Sequence, residues 1–215
     1  MTSTYTTVSI SHPSLSDRMN DMKIKGKDVL LALLYAKGSE GSYSEPISGT
    51  TRLTKAFFLF EKELKDKFTK DKIEDLPEFI AWNYGPWSNQ LIDDIDFFVG
   101  INFVKIETLR SSDDVSLAEK EEYEKLEEEI GQPPEDVAED LYAQRKYVLT
   151  PLGTKYVQTK IWLNLSDDQQ RLLNDFKAKI NSISLFSLLR YVYRNYNKKE
   201  GEDWTKNSVI KDRVL

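Results

Sequence analysis

The first apolar run in the chain, DVLLALLYA at residues 28 to 36, is almost uninterrupted and made of good helix formers. Such a segment predicts a helix buried on all sides over about Lys27–Ala36, ended by Lys37-Gly38. After a Gly/Ser-rich loop containing Pro46 and Gly49, a helical period appears: Leu53, Phe57, Phe60 and Leu64 form one stripe, with Thr50 or Thr51 as N-cap. Phe79 to Tyr84 alternate as a short strand does, and Gly85-Pro86 reads as a turn. Ser88 is placed to cap a third helix whose apolar face is Leu91, Ile92, Ile95, Phe98 and Val99, with Gly100 at its end.

Asn102 to Leu109 alternates again, and Arg145 to Thr150 reads as a second strand that would pair with it. Thr150 caps a helix with Pro151 at its first position, running to about Lys160. Ser166 caps the next helix, whose stripe is Leu172, Leu173, Phe176 and Ile180, and Ser184 opens a last one, SLFSLLRYVYRNY. Residues 1 to 25 show no period and read as a flexible arm.

This order predicts a mainly α (α+β) fold: a winged-helix-like core with a small β-hairpin and extra C-terminal helices. The divisions are an arm at 1–25, a core at 26–160 and a helical extension at 161–215. The connection between the two strands, residues 110–144, sits where a winged helix has the tip of its wing.

Composition narrows the chemistry. Among 215 residues there is no Cys, and the one His is His12, in the aperiodic arm. Thiol nucleophiles, Cys-ligated metals, disulfides and His-based triads are thereby excluded. Neither phosphate-cradling glycine pattern is present, so no nucleotide, cofactor or metal is expected. A carboxylate-dependent enzyme is the lower alternative, with Asp93, Asp94 and Asp96 as its acids, although neighbours on one helix do not all face one way. The chain has no run of 18 apolar residues and no signal-peptide pattern at its start, so a cytoplasmic location is expected.

Charge is uneven. Residues 113 to 140 hold thirteen acids against Lys120 and Lys125, a net of −11; the whole chain is −6, so the remainder is +5. Within that stretch Leu117, Tyr123, Leu126 and Ile130 recur at helical intervals until Gln132-Pro133-Pro134 ends the pattern. Two readings stand: a solvated helix, or an arm that contacts a partner or repels nucleic acid.

Three segments read together carry a resemblance. They are LLALLYAKGSEG with ISGTTRLTKAFFLFEKEL, then WNYGPWSNQLIDDIDFFVGINFVK, then KYVLTPLGTKYV. A Gly-x-Thr-Arg-Leu-x-Lys helix start, a Tyr-Gly-Pro-x-Ser turn and a Leu-Thr-x-x-Gly helix start resemble the Panacea-type (SocA-like) antitoxin domain and the YwgA-like bacterial proteins. The likeness covers about residues 27 to 160. It implies a mostly helical, small cytoplasmic protein of a kind in which some members neutralise a neighbouring toxin by direct contact and others accompany phage-defence loci.

The candidate site residues follow from these segments. Arg52 and Lys55, three apart near the start of the second helix, suit either a phosphate or acidic partner or an exposed polar face. Trp82, Tyr84 and Trp87 bracket Gly85-Pro86, as interface anchors or as packing for the turn. Ser88, Asn89 and Gln90 would read base edges in a winged helix, but the acids that follow would repel phosphates. The expected function is a non-enzymatic interaction module, an antitoxin or accessory defence subunit that occludes a partner protein. A winged-helix transcriptional regulator is the alternative.

Overall fold

The computed structural model describes residues 24–70, 73–82, 85–108, 121, 124, 128 and 145–196. Residues 1–23 of the expected arm, with His12, the segment beyond residue 196 and the expected apolar stripe of the acidic stretch lie outside these residues, whereas Lys25, expected in the arm, bridges to Glu74.

The apolar run forms helix α1 (Gly26–Tyr35), and Val29 to Ala36 are all buried. A helix with no polar face must sit centrally, and the other elements close round it. Strand β1 (Ile47–Ser48) follows, then α2 (Thr50–Leu59), which runs through a π-helical stretch at Phe60–Leu64 into α3 (Lys65–Phe68). The wider turn keeps Phe60, Leu64 and Phe68 buried on one continuous side. The expected threonine N-cap is absent. Gly49, at φ 88°, holds the N-cap position, and the Thr50 hydroxyl instead bonds the Tyr147 hydroxyl.

Strands β2 (Ile80–Trp82) and β3 (Gly85–Trp87) form a separate antiparallel pair. The sequence reading had given β3 to the turn and helix opening. Helix α4 (Asn89–Gly100) starts on the expected cap, with the Leu91 N–H donating to Ser88 Oγ at 3.2 Å. Then come β4 (Val104–Thr108) and β5 (Arg145–Leu149), paired as expected from Val104 opposite Leu149 to Thr108 opposite Arg145. β1 pairs on the free side of β5, with Ile47 opposite Tyr147, so the sheet order is β1-β5-β4. Ile47, Val104, Tyr147 and Leu149 turn inward, which fixes the register, because a one-residue slip would expose all four. In the acidic stretch, Glu121, Glu124 and Glu128 have helical backbone and exposed side chains.

Helix α5 (Pro151–Tyr156) passes through a π-helical stretch, Val157–Ile161, into a 3-10 turn, Trp162–Asn164. Thr150 Oγ1 accepts from the Gly153 N–H at 3.1 Å and donates to the Asn102 carbonyl at 2.7 Å, so one hydroxyl caps the helix and ties it to the end of α4. Helix α6 (Asp167–Ser182) opens on a full capping box between Ser166 and Gln169. Helix α7 (Leu185–Tyr196) is held to the π-helical part of the second helix by Glu63, which accepts from the Tyr191 and Tyr196 hydroxyls at 2.8 and 2.7 Å.

The C-terminal helices belong to the core. Leu173, Phe176, Ile180, Leu188, Leu189, Val192 and Tyr193 are buried in the same cluster as α1 and α2. Lys177 is buried too, and its ammonium donates to the carbonyls of Leu34 and Ala36 at 2.6 and 2.9 Å, closing the end of α1. Glu45 lies near it and accepts from the Ser39 and Glu40 N–H groups, the Ser39 hydroxyl and the Asn181 amide. Burial acts to raise this carboxyl, but those hydrogen bonds outweigh it and hold the group below its usual range.

Candidate interaction site

Lys55 is the pivot of the region the sequence singled out. It lies in the second turn of α2 on the side turned into the protein, and it is buried. Its ammonium donates to the Pro86 carbonyl at 2.8 Å. Burial pushes this ammonium down to about 7, because the low-dielectric interior penalises its charged form. The expectation of an exposed or partner-facing Lys55 is therefore corrected: its stem spans the core and its head holds the β2–β3 pair from below.

Arg52 is also spent within the fold. It is half-buried, and its guanidinium donates to the Ile180 and Ile183 carbonyls at 2.7 and 2.6 Å, at the C-terminal end of α6. The last carbonyls of a helix lack intrahelical donors, so Arg52 acts as a cap delivered from α2. Both expected cations of the patch thus hold distant segments together.

The turn residues divide in the same way. Gly85 takes a φ of 82° and is buried, and a Cβ there would lie 2.7 Å from Cε1 of Tyr193 and 3.6 Å from Cε of Lys55. Pro86 is buried beside it. β3 packs on α2 and α7, and so fastens the second helix to the last. Tyr84 lies outside the described residues.

The β2–β3 pair also carries the partly exposed apolar residues of this region. Ile80 is opposite Trp87, Ala81 opposite Pro86, and Trp82 opposite Gly85. Directly opposed residues share a face and neighbours along a strand alternate, so the register groups Ile80, Trp82, Trp87 and Gly85 on one face and Ala81 and Pro86 on the other. Ile80 is 47% exposed and both tryptophans are half-buried. The Trp87 indole N–H donates to Asn89 Oδ1 at 2.9 Å, which fixes the ring against the start of α4. Ile80 alternates onto the side of Trp82 in the sequence but was not among the expected contact residues; its pairing with Trp87 and its exposure bring it in.

Helix α4 continues from this face. Ser88 is buried and used as the cap, Asn89 holds Trp87, and Gln90 accepts from the Glu78 N–H at 3.4 Å. All three residues expected to read bases therefore have partners inside the protein. Asp93 and Asp96 are exposed, whereas Asp94 is buried and ion-paired with Lys27 at 3.2 Å. Burial pushes the Asp94 carboxyl up despite the Lys27 ammonium beside it. The solvent side of α4 is accordingly acidic.

Among the described residues no three His, Cys, Asp or Glu side chains form a group able to hold a metal ion. No helix among them is long and apolar enough to cross a membrane. Comparison with protein-family descriptions, curated proteins and solved structures returned no match to this chain.

Proposed function

We propose that the chain is a non-enzymatic protein-interaction module, an antitoxin or accessory subunit of a toxin-antitoxin or phage-defence system that binds and occludes a partner protein. The observation that carries this reading is the register of the β2–β3 pair. It groups Ile80, which is 47% exposed, with the half-buried Trp82 and Trp87, while the Pro86 carbonyl is held by the Lys55 ammonium. Rigid tryptophans on a braced support lose little entropy on binding, and large aromatics anchor most of the energy of interfaces. The resemblance to Panacea-type antitoxins supports the same reading. The acidic stretch adds long-range attraction for a basic partner.

The experiment is a pull-down with the tagged full chain from native lysate without nuclease, comparing wild type with Trp82→Ala and Trp87→Ala. A single stoichiometric protein, retained by wild type and lost from folded variants, supports the reading. Equal retention by both variants removes the hydrophobic face from it.

A winged-helix regulator is the second reading. It is favoured by the order of α1, α2 and α4 followed by the β4–β5 hairpin, with β1 completing the sheet beside β5. Against it stand Asp93 and Asp96 on the solvent side of α4. A DNA reader would enrich DNA in the same eluate and would lose affinity steeply as salt rises.

A further inference from the structure

A second apolar surface lies at the other end of α4. Phe97, Ile101, Leu152 and Tyr156 are 51%, 40%, 52% and 37% exposed. They belong to one surface because the segment between α4 and β4 is fastened to the start of α5. The Thr150 N–H donates to the Phe103 carbonyl at 3.0 Å, and its hydroxyl donates to the Asn102 carbonyl at 2.7 Å. Beneath runs a chain of rings: Phe97 to Phe98 at 5.5 Å, Phe98 to Phe103 at 6.4 Å, Phe103 to Tyr156 at 4.7 Å. A Cβ on Gly153 would lie 2.1 Å from the Phe103 carbonyl oxygen, so this close approach depends on glycine.

The two helical segments that form this surface carry opposite exposed charges. On the α4 side Asp93 and Asp96 are exposed, four and one residues before Phe97. Lys27 sits over the Phe97 ring at 4.8 Å, but its charge is matched by the ion pair with Asp94. On the α5 side Lys155 and Lys160 are exposed, three residues after Leu152 and four after Tyr156. An apolar strip with an acidic side and a basic side is its own electrostatic complement. When two copies meet about a twofold axis that runs along the strip between the two helical segments, the acidic side of each faces the basic side of the other.

We propose that this surface pairs with the same surface of a second copy of the chain. Four partly exposed large side chains form a patch well below the ~800 Å² per partner of a standard interface, so the dimer is weak, reversible and dependent on its charged rim. The proposal does not rest on the partner reading above, which uses a different face.

The test is sedimentation equilibrium of the full chain over a wide concentration range. Wild type should move from the 25.0 kDa of one chain toward twice that mass, less readily at high salt. Phe97→Ser and Leu152→Ser change exposed side chains and should hold the protein at one chain's mass. Asp93→Lys with Asp96→Lys, or Lys155→Glu with Lys160→Glu, should each weaken association by about tenfold or more, since like charges then meet. Mixing those two charge variants should restore it, because each supplies the charge the other lacks. A wild type that stays at one chain's mass throughout, a dimer unchanged by Phe97→Ser and Leu152→Ser, or a mixture that associates no better than its components would overturn the proposal.

Discussion

The ring of Tyr193 occupies the space that a side chain at Gly85 would need, with its Cε1 2.7 Å from where a Cβ would lie. The glycine of the Tyr-Gly-Pro motif is thus fixed by two demands at once, a φ of 82° and contact with a ring 108 positions away in sequence. Gly85→Ala should lower stability by on the order of 3 kcal/mol, from left-handed strain and overpacking together. Gly41 has a similar φ of 79° with nothing nearby, so Gly41→Ala should cost only about 1 kcal/mol. Urea unfolding of the two variants separates these contributions, and equal losses would show that Tyr193 yields freely.

Stability should depend on pH through Lys55 and Lys177. Both titrate near 7 in the fold and near 10.5 when unfolded. Between those values the unfolded chain holds more protons, so stability rises with pH, by at most about 1.4 kcal/mol per unit for each lysine. The cost of burying the two charges is fully present below pH 7. Above pH 10 the sign reverses, because Tyr35, Tyr191 and Tyr196 are held protonated beyond their ordinary range, chiefly by burial. Thermal unfolding should therefore show a maximum at roughly pH 9 to 10. Lys55→Met and Lys177→Met should each flatten the rise, and a wild-type profile flat from pH 7 to 9.5 would contradict both assignments.

Arg52→Lys should be far from conservative. The guanidinium reaches two carbonyls, those of Ile180 and Ile183, from one planar fork. A lysine ammonium is a point donor on a flexible stem, so at least one carbonyl loses its bond, at about 1 to 3 kcal/mol. The change should appear as early hydrogen exchange at the end of α6, with the rest of the helix protected as in wild type. Uniform protection along α6 would show that water replaces the cap at little cost.

What the sequence made legible was local. Ser88, Thr150 and Ser166 are caps because a short polar side chain just before a periodic run has only nearby N–H groups to satisfy, and all three act as expected. Helices α2, α4 and α6 announce themselves by their stripes, and the β4–β5 pairing by its alternation. The illegible part was non-local. β1 is two residues long and exists because β5, almost 100 positions later, offers it an edge. Lys55 and Lys177 read as surface residues by type, and nothing beside them in sequence reveals that their acceptors are Pro86, Leu34 and Ala36. The aromatic cluster was visible, but the pairing that sets Ile80 beside Trp87 was not, because neither strand alone states the register between them. The motif residues that carried the family resemblance prove to be mostly joints of the fold: Arg52, Lys55, Gly85, Thr150 and Gly153 each hold one segment against another.

The bond from Lys177 to the end of α1 also sets a schedule. The helix at the centre of the core is closed by a side chain made more than 140 residues later. At ordinary synthesis rates its apolar surface waits roughly 7 to 30 s for that closure. Until then the Leu34 and Ala36 carbonyls at the end of α1 lack this donor. Newly made chain is therefore at its most vulnerable to aggregation before α6 is complete, and dependence on chaperones should be concentrated in that interval.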